Sequence, residues 1–106
     1  MPIQTFLYVI GSDQGPVKIG ISSNPLGRLG NIQTGCHVKV HLWYTKGIST
    51  RELALMHEKA IHEDHKERRL NGEWFDMDPG EGAEAIDVQV DTYEHFEERA
   101  RNGEFA

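Results

Sequence analysis

The sequence predicts a small mixed α/β domain. Two apolar stretches rich in β-forming residues come first and are separated by turn residues, and helix-capping patterns open several later segments. The chain of 106 residues is long enough for one domain, which can close a core without disulfides. Its single cysteine, Cys36, excludes an internal disulfide and therefore a secreted disulfide scaffold.

The first half of the chain predicts a β-hairpin, a short helix and a third strand. Residues 5–10 form a β-rich run, and the apolar alternation in residues 17–21 indicates a half-buried second strand. Asn24 followed by Pro25 is typical of a helix N-cap and the first helical position. A second alternating stretch, residues 38–43, predicts the third strand.

The second half of the chain is predicted to be mainly helical. A capping box that begins at Ser49 predicts the longest helix, which we expect to run to about Leu70. A short extended piece follows at residues 73–77. Two further capping patterns, which begin at Asp78 and Asp91, predict two acidic helices at the C-terminal end.

The distribution of charge matters more here than the net charge of −6. Residues 1–50 carry four basic residues and one acid, Asp13, whereas residues 73–106 carry eleven acidic residues and two arginines. Residues 51–72 carry five charges of each sign, so the first 72 residues can face a polyanion, while the acidity is concentrated in the C-terminal part.

Targeting and membrane signals are absent from the sequence pattern. No apolar run approaches the roughly 20 residues of a membrane helix, and the N-terminal stretch lacks the basic region of a signal peptide. We therefore expect a reduced, cytoplasmic protein that makes no membrane contact.

The longest predicted helix carries histidines and a carboxylate. His57 and His62 are five residues apart, so their rings diverge by roughly 140° and do not form a zinc-protease pair. By spacing, four residues share one face of this helix: Glu58, His62, His65 and Arg69. A metal site or a solvated polar face would give this stripe, and the spacing alone favours the solvated face.

Five short motifs, in this order, resemble the GIY-YIG endonuclease superfamily in its phage and prophage branch. The resemblance covers about residues 5–77. The motifs are Phe6-Leu7-Tyr8, Lys18-Ile19-Gly20, Arg28, Glu58-x-x-x-His62 and Gly72-Glu73-Trp74-Phe75.

The resemblance implies a three-stranded antiparallel sheet flanked by helices, to which the acidic C-terminal helices are added. It implies a single domain over residues 1–106, with a catalytic core at about 5–77 and an acidic helical extension at about 78–106. It further implies a metal-dependent endonuclease that hydrolyses DNA phosphodiester bonds with Mg²⁺ or Mn²⁺.

The resemblance also implies which residues form the site. Tyr8 and Lys18 lie near the attacking water, and either is the general base. Arg28 contacts the scissile phosphate, Glu58 is the metal ligand, and His62 joins the catalytic set through its spacing from Glu58. Glu73 stays open between a site role and a place beside core aromatic residues.

A second hypothesis keeps the same fold without its chemistry. In it, the chain is a catalytically silent module that binds nucleic acid or protein. The scarcity of lysine and arginine favours this hypothesis, or a domain that gains DNA affinity from a homodimer or a partner protein, because duplex affinity comes largely from cations at phosphates.

Overall fold

Three α-helices and one antiparallel sheet make up the fold within residues 4–103, which confirms the α/β class. The computed structural model describes residues 4–103. In chain order the elements are β1 (Thr5–Gly11), β2 (Val17–Ser22), α1 (Pro25–Thr34), β3 (His41–Ile48), α2 (Arg51–Asp64), β4 (Arg69–Asn71), β5 (Trp74–Phe75) and α3 (Pro79–Arg101), with one 3₁₀ turn at Lys66–Arg68.

The sheet has five strands in the order β3-β1-β2-β5-β4, so the expected count of three is wrong. The two additional strands are short and come from the segment that follows α2. β5 pairs with Val17 and Lys18 of β2, and β4 pairs with β5. An unpaired β2 would expose a row of backbone donors and acceptors, and Gly72, with φ of +56°, provides the turn that brings the chain back to pair with it.

The helix α2 is shorter than the sequence predicted. Thr50 is its N-cap, since its side chain accepts a hydrogen bond from the backbone N–H of Leu53 at 3.1 Å. The helix ends at Asp64 rather than near Leu70. The residues beyond the 3₁₀ turn, which have good helix propensity, instead enter β4, because pairing within the sheet outweighs local propensity.

The third strand begins at His41 rather than at residue 38 and continues to Ile48. The side chain of Gln33 explains the later start. Its amide nitrogen donates to the carbonyl of Val38 and its amide oxygen accepts from the N–H of Val40, both at 2.9 Å. These bonds hold the start of the alternating stretch against the end of α1.

The C-terminal part is one helix rather than two. Asp78 and Glu81 form the predicted capping box at its start. Asp91 lies inside the helix, because no glycine or proline from residue 83 to residue 101 ends it. None of the helices in residues 4–103 has the length and apolar content needed to cross a membrane.

The sheet is covered on both faces. The helices α2 and α3 pack on one face over the larger core cluster, which includes Leu7, Val9, Ile19, Ile61, Phe75 and Ile86. The helix α1 covers the other face over a smaller cluster formed around Tyr8, Ile10 and Val40. Side chains alternate along a strand, so Lys18 and Gly20 share the α1 face with Tyr8, whereas the acidic α3 lies on the opposite face.

Candidate functional site

Tyr8 and Gly20 form the floor of the candidate site. Tyr8 lies in the middle of β1, is 1% exposed and pairs directly with Gly20 of β2. A Cβ atom at Gly20 would lie 2.6 Å from the Tyr8 hydroxyl oxygen and 3.1 Å from Oε2 of Glu73. Glycine at this position therefore leaves the space in which the phenol crosses β2 and approaches Glu73.

Beyond the end of β5, side chains of α2 make the hydrogen bonds to the edge of β2. The backbone N–H of Ile19 still donates to the carbonyl of Glu73 at 3.1 Å. Beyond that point, Nε2–H of His62 donates to the carbonyl of Ile19 at 2.8 Å, and the N–H of Ile21 donates to the carboxylate of Glu58. These bonds satisfy the strand edge and fix Glu58 beside it.

Glu58 and Glu73 form a carboxyl pair at this edge. Glu58 is 9% exposed, and its side chain is hydrogen-bonded to that of Glu73. Burial, followed by the charge and the hydrogen bond of Glu73, raises the pKa of Glu58 to about 7. Glu58 therefore still binds a proton near neutral pH, and a divalent cation would offset the repulsion between the two groups.

Lys18 lies beside the carboxyl pair, and Arg28 lies close enough to Tyr8 for its charge to act on the phenol. The Lys18 Nζ atom lies 3.5 Å from Oε2 of Glu73, and the lysine side chain is 21% exposed. Arg28 projects from α1, whose start is fixed by the Asn24 side chain accepting from the N–H of Gly27 at 3.1 Å. The positive charge of Arg28 acts on the Tyr8 hydroxyl and lowers its pKa. Both cations thus stand on the α1 face around Tyr8.

The ionisation of Tyr8 reflects its position between these groups. Burial raises its pKa well above the usual range, and the negative charges of Glu73 and Glu58 raise it further, while Arg28 opposes them. The phenol therefore stays protonated at neutral pH.

The two histidines of α2 have structural contacts. His62 is one turn beyond Glu58, but its Nε2–H is engaged by Ile19 and its ring packs on Phe75 with a centroid separation of 5.0 Å. His57 faces α3, where its Nδ1 accepts from the side-chain amide of Gln89 at 3.3 Å. Because α2 ends at Asp64, the expected helical stripe does not extend to Arg69, which lies in β4.

The donor set fits a hard divalent cation bound in part by water. Glu58 and Glu73 offer carboxylate oxygens from separate elements. In residues 4–103 no group of three or more His, Cys, Asp or Glu side chains is placed to hold a metal ion. Mg²⁺ is typically bound by one or two carboxylates together with waters and substrate phosphates, so two carboxylates suit it better than they suit Zn²⁺.

The structure brings four of the five residues expected from the resemblance to one place: Tyr8, Lys18, Arg28 and Glu58. His62 lies next to Glu58 along the helix but is bonded to the strand. Glu73, whose role the sequence left open, is the residue that contacts or acts on most of the others. Its position depends on β5 pairing with β2, and the sequence pattern did not predict that pairing.

Comparison with protein families identifies the chain. The T5orf172 domain model matches residues 5–90, which include every element from β1 to the buried half of α3, and the chain therefore belongs to this family. The T5orf172 domain is found in phage-type nucleases, and it points to a nuclease or DNA-binding role. Comparison with curated proteins and with solved structures returns no match.

Proposed function

We propose that this chain is a GIY-YIG-type endonuclease that hydrolyses DNA phosphodiester bonds with Mg²⁺ or Mn²⁺. One observation carries the proposal: the hydrogen-bonded carboxyls of Glu58 and Glu73 lie near Tyr8, Lys18 is paired with Glu73, and the charge of Arg28 acts on Tyr8. Carboxylates for a cation and cations for a phosphate, in one place, suit phosphodiester hydrolysis. The membership in the T5orf172 family supports the same class of reaction.

In this proposal Glu58 and Glu73 hold the divalent cation, which polarises the phosphate and stabilises the charge of the transition state. The N–H of Ile21 orients the Glu58 carboxylate by a hydrogen bond, and the turn between β4 and β5 positions Glu73. Arg28 offers a planar guanidinium group to the phosphate oxygens, which two parallel hydrogen bonds can hold.

Tyr8 and Lys18 have different roles in the proposed reaction. A charged lysine has three donors and no acceptor, so Lys18, while paired with Glu73, can stabilise negative charge but cannot accept a proton. Burial is the main cause of the raised pKa of Tyr8, and neutralising the carboxyl pair would remove a smaller one, while the charge of Arg28 lowers it. In this proposal the Tyr8 hydroxyl first loses its own proton to solvent, and the resulting phenolate accepts the proton of the attacking water.

A plasmid assay tests the proposal. Supercoiled plasmid is incubated with the protein in Mg²⁺, in Mn²⁺ and in EDTA, and the nicked and linear products are separated on a gel. The proposal predicts products in either divalent ion and none in EDTA. A folded protein that binds the plasmid but leaves it intact in both ions would favour the silent binding module instead.

A further inference from the structure

A small apolar cavity opens beside the candidate site on the α1 face of the sheet. Its volume is about 210 Å³, which is below the roughly 300–1,000 Å³ of pockets for drug-sized ligands. None of its lining side chains carries a formal charge. They are Ser12, Pro16, Cys36, Val38, Val40 and Trp74. The cavity therefore suits one flat apolar ring system.

Trp74 joins this cavity to the site. It follows Glu73 directly and pairs with Lys18 in the sheet, so the Trp74 and Lys18 side chains stand next to each other on one face. Lys18 is two residues from Gly20 along β2, a separation of about 7 Å. The cavity and the site therefore adjoin along β2.

We propose that the cavity binds one unstacked nucleobase of the substrate strand, next to the phosphate held at the candidate site. The inference rests on the proposed function, because a phosphate bound by Lys18 and Arg28 brings a nucleoside with it. The uncharged, apolar cavity complements the base, and the cations beside it complement the backbone. Aromatic faces such as that of Trp74 stack with any base and need no sequence-specific contact. The bound base is accordingly an unstacked one, as in a single strand, in a locally unwound part of supercoiled DNA, or where a base is extruded from a duplex.

Fluorescence of Trp74 tests the proposal directly. The chain has two tryptophans, so Trp43→Phe leaves Trp74 as the reporter. The protein, kept in EDTA to leave the strand intact, is titrated with a short oligothymidylate or with the same sugar-phosphate chain made entirely of abasic units. Stacking predicts a saturable change in Trp74 emission with the oligothymidylate and none with the abasic chain. An equal change with both chains, or no change with a bound oligothymidylate, would overturn the proposal.

A matched pair of variants gives a second, independent measurement. Trp74→Leu should weaken binding of the oligothymidylate about 5- to 100-fold and leave binding of the abasic chain unchanged. Trp43→Leu, the same substitution at the exposed tryptophan of β3, should alter neither. Should Trp74→Leu fail to fold, alkylation of Cys36 in the unaltered protein replaces it: the oligothymidylate should slow the reaction several-fold and the abasic chain should not.

The base cavity and the nuclease activity can be tested separately. Plasmid cleavage in Mg²⁺ with no response of Trp74 or Cys36 to bases would overturn the base cavity and leave the nuclease in place. Protection of Cys36 by bases without cleavage in any divalent ion would support the cavity and contradict the nuclease.

Discussion

Gly20 sets the position of the Tyr8 phenol, and through it the geometry of the candidate site. A methyl group at this position would lie 2.6 Å from the Tyr8 hydroxyl oxygen, closer than nonbonded atoms approach. We predict that Gly20→Ala displaces the phenol, lowers the free energy of unfolding by about 1–3 kcal/mol and reduces plasmid cleavage at least tenfold. Chemical denaturation and the plasmid assay measure the two effects.

Gly30 provides the control for this substitution. It lies in α1, and a Cβ atom there would have no neighbour within 4 Å. Alanine is a better helix former than glycine, so Gly30→Ala should raise the free energy of unfolding by up to about 1 kcal/mol and leave cleavage unchanged. Equal cleavage by the Gly20→Ala and Gly30→Ala variants would show that the Tyr8 position does not matter to the reaction.

The raised pKa of Glu58 gives a pH dependence with a definite sign. Burial and the neighbouring Glu73 raise the pKa from its ordinary value of 4.5 to about 7 in the folded chain. Between these values the folded chain holds a proton that the unfolded chain has lost, so the free energy of unfolding falls as the pH rises. We predict that Glu58→Gln removes this fall and is more stable than the unaltered protein at pH values above about 7.

Thermal melts from about pH 5 to pH 8 measure the effect. Adding Mg²⁺ at the upper end of this range should raise the Tm of the unaltered protein and not that of Glu58→Gln, since a ligand stabilises the state that binds it. Glu63→Gln is the control, because Glu63 is exposed on the same helix and paired with Lys66. If Tm changes with pH in the same way in the unaltered protein and in Glu58→Gln, the raised pKa of Glu58 is contradicted.

At the scale of elements, the contact between α2 and the edge of β2 holds the site together. His62 contributes by donating to the carbonyl of Ile19 and packing on Phe75. His62→Leu keeps a similar volume but leaves that carbonyl without its partner. We predict a loss of about 1–3 kcal/mol in the free energy of unfolding, with cleavage per folded molecule within about threefold of the original.

Denaturation curves measure the stability of His62→Leu and of the unaltered protein. Their cleavage rates are compared at a temperature at which the variant is fully folded. A His62→Leu protein of normal stability that has lost cleavage would place His62 in the chemistry rather than in the support of the strand.

The elements that the sequence predicted well are those set by local patterns. The β-hairpin follows from apolar alternation, and the starts of α1 and α3 follow from their capping residues. The short strands β4 and β5 could not be predicted, because β5 forms against the edge of β2, more than fifty residues earlier in the chain, and β4 forms against β5. The same long-range pairing explains why α2 ends at Asp64.

Across the whole molecule, the sheet places the acidic α3 on the face opposite to Lys18 and Arg28. Lys18 and Arg28 stand on the α1 face, and the acidic α3 covers the other. We predict that Arg28→Ala weakens DNA binding and reduces the slope of log K against log salt by about one, as expected for one lost phosphate contact. Binding titrations of a short DNA at several salt concentrations give the slope.

Arg68 is the matched control for Arg28. It is an exposed arginine whose guanidinium is already held by Glu81 at 2.8 Å, next to the start of α3. Arg68→Ala should leave both the affinity for DNA and its salt slope unchanged. A similar loss of DNA affinity in Arg28→Ala and Arg68→Ala would contradict specific binding of DNA to the α1 face.

The candidate site was predictable where its residues belong to ordered motifs. Tyr8, Lys18, Arg28 and Glu58 were found in this way, and the structure places them together. The role of Glu73 was not predictable, because its approach to Glu58 depends on the pairing of β5 with β2, which the local sequence pattern does not predict. The raised pKa of Glu58 likewise depends on burial in the finished fold.

The proposed carboxyl metal site is tested by the rate of plasmid nicking in Mg²⁺ by Glu58→Gln and Glu73→Gln, with Glu63→Gln as the control. All three substitutions remove one carboxylate charge and keep the side-chain shape. The account predicts that the first two proteins fold, bind DNA and lose at least 100-fold in nicking rate, while Glu63→Gln nicks at the original rate. Folded Glu58→Gln and Glu73→Gln proteins that nick plasmid as fast as the control would contradict the claim that this carboxyl pair is the catalytic metal site.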